Sequence, residues 1–108
     1  SAALAMFDAL AHAGRLEILR LLIRTGPQGL AVGDIAPRMA LPPSTLSAHL
    51  ASLERSGLIA ARRQSRFIYY AADMAALRSL VGFLVEDCCG GDPAACAPLI
   101  DQLLPTCC

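Results

Sequence analysis

The sequence predicts a mainly α-helical domain with one small β-hairpin, and three observations lead there. Apolar residues recur at steps of three and four through the first half of the chain, as on one stripe of an α-helix. The period then changes to two across Leu58 to Ala71, which reads as paired strands. Helical spacing returns from Met74 with Leu77, Leu80, Val81, Leu84 and Val85, a stripe broader than one small domain can cover.

Taken in order, residues 2 to 11 form an alanine-rich helix with Leu4, Met6, Phe7 and Leu10 as its apolar members, expected to pack against the last long helix of a partner subunit. Gly14 is expected to break the run and His12 to be an ordinary helix-end residue. Arg15 to Thr25 is the central helix, with Leu16, Leu19, Leu22 and Ile23 inside, Arg15, Arg20 and Arg24 outside, and a stop at Gly26-Pro27. Residues 31 to 39 make a short helix buried through Val32, Ile35 and Met39, and Leu41-Pro42 turns into the next. That next helix starts with Pro43, whose missing N–H costs nothing at a first helical position, and ends at Gly57. Leu58–Arg63 and Arg66–Ala71 pair as a hairpin turning near Gln64 and Ser65, with Tyr69 and Tyr70 packing it. Asp73 caps a helix from Met74 to Cys88, which Gly90-Gly91 ends, and Pro98 to Leu104 forms a short last helix.

Composition narrows the function classes. The 108 residues allow one domain with a modest core, and a 56% hydrophobic content is high for so small a monomer, which points to a homodimer through the first and last long helices. No apolar run reaches the roughly 18 residues of a membrane span, and the start lacks the cationic flank of a signal peptide, so a cytoplasmic protein with no membrane partner is expected. Because the chain does not begin with Met, a longer natural N-terminus is expected. Net charge is zero but unevenly spread: residues 1–72 carry eight Arg against four acids, and residues 73–108 one Arg against five. A basic body with an acidic tail is what a phosphate-facing surface produces.

The helix from Pro43 exposes short hydroxyls, with Ser44, Ala48, Ser52 and Arg55 opposite Leu46, Leu50 and Leu53 and with Thr45 and Ser47 flanking those leucines, a face able to approach a major groove closely. The hairpin tip concentrates Arg62, Arg63 and Arg66 for phosphate or minor-groove contact. Double-stranded operator DNA is the expected partner. The five cysteines, Cys88, Cys89, Cys96, Cys107 and Cys108, form an odd cluster at one end, a better thiol site than a disulfide framework. The glycines after Cys89 let the chain turn back so that Cys88, Cys89 and Cys96 converge. Three thiolates without imidazole suit a soft ion, best trivalent arsenic or antimony, with a closed zinc site and inert thiols as alternatives. Cys107 and Cys108 either complete the site or form a scavenging tail. No Cys-x-x-Cys pair, no Gly-rich phosphate loop and no nearby His supports an enzyme.

Ser44-Thr45-Leu46-Ser47-Ala48-His49-Leu50, Leu53, Ser56-Gly57-Leu58-Ile59, Arg62-Arg63-Gln64-Ser65-Arg66 and Tyr69-Tyr70, together with Leu10 to Leu22, resemble in order and spacing the winged helix-turn-helix of the ArsR/SmtB family of metal-responsive repressors. The likeness covers residues 4–88. It implies that Pro43–Ser56 is the recognition helix, that the hairpin is the wing, and that His49 lies near the DNA backbone, the alternative being a half-buried helix residue beside the leucine stripe. Two departures stand out: the wing turn lacks the family's usual glycine, and Leu30-Ala31-Val32-Gly33-Asp34-Ile35 lacks the Cys-x-Cys pair of the best-known arsenic sensors. Zinc and nickel sensors of the family bind along the last helix through His and carboxylates, whereas Cys-Cys, a glycine loop and a further Cys look like its arsenic-responsive branch. The resemblance thus implies a repressor, residues 1–89 forming the DNA-binding and dimerisation domain and residues 90–108 a cysteine-bearing loop and short helix. It would sit as a dimer on an inverted-repeat operator and leave when arsenic or antimony binds; a redox- or persulfide-sensing repressor is the alternative.

Overall fold

The computed structural model describes residues 2–85. Five helices and three short strands follow in the order α1 (Ala2–Leu10), α2 (Ala13–Thr25), β1 (Leu30–Ala31), α3 (Val32–Met39), α4 (Pro43–Ser56), β2 (Ile59–Gln64), β3 (Phe67–Ala72) and α5 (Met74–Val85). The continuation of the last helix to Cys88, its stop at Gly90-Gly91, the helix from Pro98, the boundary at residue 89 and all five cysteines lie outside the described residues.

Hydrophobic burial organises the rest. Ile18, Leu22, Ile35, Leu46, Leu50, Leu53 and Leu58 are the largest fully buried side chains, drawn from α2, α3, α4 and the start of the wing. The α4 leucines share one buried stripe, as their spacing predicts. In α2 the inward residues are Ile18, Leu19, Leu21 and Leu22, and Leu16 is exposed, which corrects its expected place inside. The helix touches α1, α3, α4 and β3, so its buried arc is wider than a single three-four stripe and is turned away from Leu16.

Gly14 does not break the chain; α2 begins at Ala13, and His12 takes the extended backbone of an N-cap at φ −154°. Thr25 and Gly26 close the helix, with the Gly26 N–H donating to the Leu22 carbonyl at 3.2 Å. Contrary to the expectation of a helix from residue 31, Leu30 and Ala31 form a third strand, pairing antiparallel with Tyr70 and Tyr69 in a sheet ordered β1-β3-β2. Two residues carry no readable period, so this strand exists only through its partner. Gly29 makes the approach possible: it sits at φ +76°, and a Cβ there would stand 2.5 Å from the Tyr70 carbonyl oxygen.

The hairpin pairs Ile59 with Ala72 through Gln64 with Phe67, leaving Ser65 and Arg66 as a two-residue loop, so both strands and the turn fall one residue later than the expected Leu58–Arg63, Arg66–Ala71 and Gln64-Ser65. Ser65 occupies φ +59°, the left-handed conformation the family's glycine would adopt without strain. Asp73 caps α5 as expected, its carboxylate accepting the Ala76 N–H at 3.0 Å. α1 rests on α4, α2 and α5 of its own chain, burying Met6 and Ala9.

Candidate nucleic-acid interface

α4 is fastened by its apolar stripe, and that fixes what it can offer outward. Ser44 and Ser47 are exposed and Thr45 half-buried, so the first turns of the helix present hydroxyls while Leu46, Leu50 and Leu53 face the core. Gly57 at φ +89° ends the helix in the left-handed conformation, and its N–H donates to the Leu53 and Glu54 carbonyls. The chain then enters β2 directly, so helix and wing form one continuous reading head.

Within the wing, face and register separate the three arginines. Arg62 stands opposite Tyr69, with its guanidinium 5.4 Å from the ring centroid and an N–H donated to the Gln28 carbonyl at 3.1 Å. It is therefore tied to the loop before β1. Arg66 lies 5.5 Å from the Phe67 ring centroid at the tip. Arg63, opposite Ile68, is exposed and its side chain makes no hydrogen bond or ring contact among the described residues, so its guanidinium is available to an anion. Tyr70 packs on the core, and burial, followed by the charge of Glu54, raises its phenol above the usual value.

His49 has two readings from the sequence, a half-buried helix residue and a contact with the DNA backbone, and its placement agrees with the first: it is 8% exposed, on the inner side of α4. Its ring meets that of His12 at 4.7 Å between centroids, and Arg15 donates its Nε–H to His49 Nδ1 at 3.4 Å. Helical phase explains the placement, because position 49 directly precedes Leu50 and follows Leu46 by three, on the buried arc. Burial first, then the charges of His12 and Arg15, hold its pKa below the ordinary histidine value. Gly14 is what admits the imidazole: a Cβ there would stand 3.1 Å from Nε2. Arg15 and Gly14 were not read as part of the site, since a helix-outward arginine and a glycine carry no signal of a partner 34 residues away.

Among the described residues no group of three His, Cys, Asp or Glu could hold a metal ion. No described helix is long and apolar enough to cross a membrane.

A helix-turn-helix pair running into a basic hairpin defines a winged-helix DNA-binding protein. A helix-turn-helix domain family matches residues 10–62. The chain is 32% identical over 82 residues to the transcriptional activator HlyU of Vibrio cholerae, covering 76% of this chain and 73% of HlyU. It is 35% identical over 88 residues to the nodulation protein NolR of Rhizobium meliloti, covering 82% of this chain and 69% of NolR. Among solved structures, the homodimeric winged helix-turn-helix domain of a possible ArsR-family regulator from Mycobacterium bovis superposes with a TM-score of 0.62 at 35% identity, covering 80% of each chain. HlyU of Vibrio cholerae in a reduced form gives a TM-score of 0.61 at 30% identity, covering 82% of this chain and 90% of that one. The chain belongs to the ArsR family of winged helix-turn-helix transcriptional regulators, a DNA-binding and non-enzymatic class.

Proposed function

We propose that this regulator is a metalloid-responsive repressor: a homodimer that holds an inverted-repeat operator and is released when Cys88, Cys89 and Cys96 bind trivalent arsenic or antimony as thiolates. The observation that carries the reading is the uncovered face of α5. Met74, Val81, Phe83 and Leu84 are four of the eight exposed large hydrophobics among the described residues, and Cys88 follows Val85 by only three positions. Thiolate chemistry therefore adjoins in sequence the surface on which a second copy would sit, as the Mycobacterium bovis relative is homodimeric. With α1 and α5 paired across a two-fold axis, the two α4 helices would enter successive major grooves about 34 Å apart. Ser44, Thr45 and Ser47 would read base edges or phosphates, and Arg63 and Arg66 would meet phosphate or the minor groove. Such a protein works in the cytoplasm with the DNA.

Release requires arsenic to favour the unbound form. A 100-fold loss of operator affinity corresponds to a preference of about 2.7 kcal/mol. Replacing each cysteine by Ser and following release of a fluorescent duplex, selected by the protein from a random pool, against arsenite tests this. Variants at Cys88, Cys89 and Cys96 should bind DNA and ignore arsenite, while Cys107 and Cys108 variants still respond. Full release from the Cys96→Ser protein would remove the three-thiolate site. A redox- or persulfide-sensing repressor is the second reading, favoured by the vicinal thiols and by the relative known in a reduced form. Release by an oxidant or polysulfide, with no response to arsenite under strict reduction, would select it.

A further inference from the structure

Beneath the recognition helix, buried His49 meets half-buried Arg15 and exposed His12, a chemistry that the DNA-reading residues do not use. Arg15 spans this corner, donating Nη1–H to the Ala9 carbonyl of α1 and Nε–H to His49 Nδ1 of α4, both at 3.4 Å. Because Nδ1 accepts, it carries no proton, and His49 is neutral with its hydrogen on Nε2. Gly14 and Leu41 close the same corner, the latter from the turn that leads into α4. Thus one imidazole joins the α1–α2 junction to the helix half that carries Thr45 and Ser47.

We propose that neutral His49 is a positioning residue for DNA binding: by accepting from Arg15 it holds the first half of α4 against the α1–α2 corner, and its protonation by mild acid weakens DNA binding without any metalloid. A proton on Nδ1 would face the Arg15 N–H donor to donor and place a second cation beside the guanidinium. The charged groups acting on the ring are His12 and Arg15, both basic, and neither can neutralise an imidazolium. Burial opposes the charged form as well. The sign follows: the folded pKa lies below the unfolded value, so the contribution is complete above about pH 6.5 and is lost as pH falls through the folded pKa. This goes beyond the metalloid reading and does not depend on the cysteines.

The experiment follows affinity for the selected duplex between about pH 7.5 and pH 5.5 in reducing, metalloid-free buffer. Wild type should weaken progressively as pH falls, by no more than about tenfold at pH 5.5, the ceiling for a group that titrates below about 6.5. His49→Gln offers Arg15 an acceptor that cannot titrate, so whatever its affinity at the upper pH, the acid weakening should be lost. His12→Gln, which removes the basic ring whose electrostatic effect opposes the charged form of His49, should move the weakening to higher pH. In parallel, imidazole nitrogen shifts of wild type by NMR give the His49 midpoint, which should coincide with the loss of affinity. An undiminished acid response in folded His49→Gln overturns the proposal. Should that variant fail to fold, a His49 midpoint separate from the affinity loss overturns it equally, and coincidence of the two supports it.

Discussion

α4 and α5 share the same helical spacing of leucines and end in opposite situations. In α4, Leu46 and Leu53 retain 1% and 0% of their exposure, because α1, α2 and β2 close over them. In α5 only Leu80 is buried, Phe83 and Leu84 remain 52% and 61% exposed, and Phe83 borders a recess of about 300 Å³ lined also by Ala2, Ala3, Met6, Ser79 and Leu80. An apolar stripe marks where burial is wanted, and neighbouring elements decide whether one chain supplies it. The head that reads DNA is completed within the monomer, and the α1–α5 face is left open.

Breaking each face separately should expose that difference. Leu53→Ala should cost about 2–5 kcal/mol of folding stability, the range for a fully buried leucine leaving a cavity, and a urea titration would measure it. An effect below about 1 kcal/mol would mean that the α4 core is far looser than its burial indicates. Leu84→Glu should leave the fold, by circular dichroism, nearly unchanged and instead cost about 2 kcal/mol or more of dimer association, read by sedimentation at falling concentration. If the substitution left association untouched, the open face would need a different occupant.

The wing sharpens the comparison at smaller scale. Arg63→Ala should reduce the salt dependence of DNA affinity by about one unit of log slope for each phosphate that the guanidinium neutralises, measured across a salt series. Arg62→Ala should act partly through the fold, because it also releases the Gln28 carbonyl and the Tyr69 ring. Equal changes in slope and in thermal stability for both variants would erase that distinction. Smallest of all, Ser65→Gly should raise stability by up to about 1 kcal/mol by relieving the left-handed backbone at the wing turn, detectable as a higher melting temperature.

Much of the head is legible in the sequence for a local reason. The α4 stripe, Pro43 at its start, Gly57 at its end, the hairpin and the Asp73 cap depend on residues within a few positions of one another, and the sequence alone determined them. So did the family likeness, which rests on contiguous motifs. The exposed hydroxyls of Ser44 and Ser47 followed from the same helical count.

Tertiary structure alone decided the rest. β1 exists because Leu30 and Ala31 meet Tyr70 and Tyr69 across the fold, a pairing that two residues cannot announce. Leu16 falls outward because four elements surround α2 and set which arc is closed. His49 and Arg15, each an unremarkable helix residue in the chain, become one buried unit only when α4 crosses the α1–α2 corner at Gly14. Helical periodicity specifies a direction around one axis; what waits in that direction is set by the other elements.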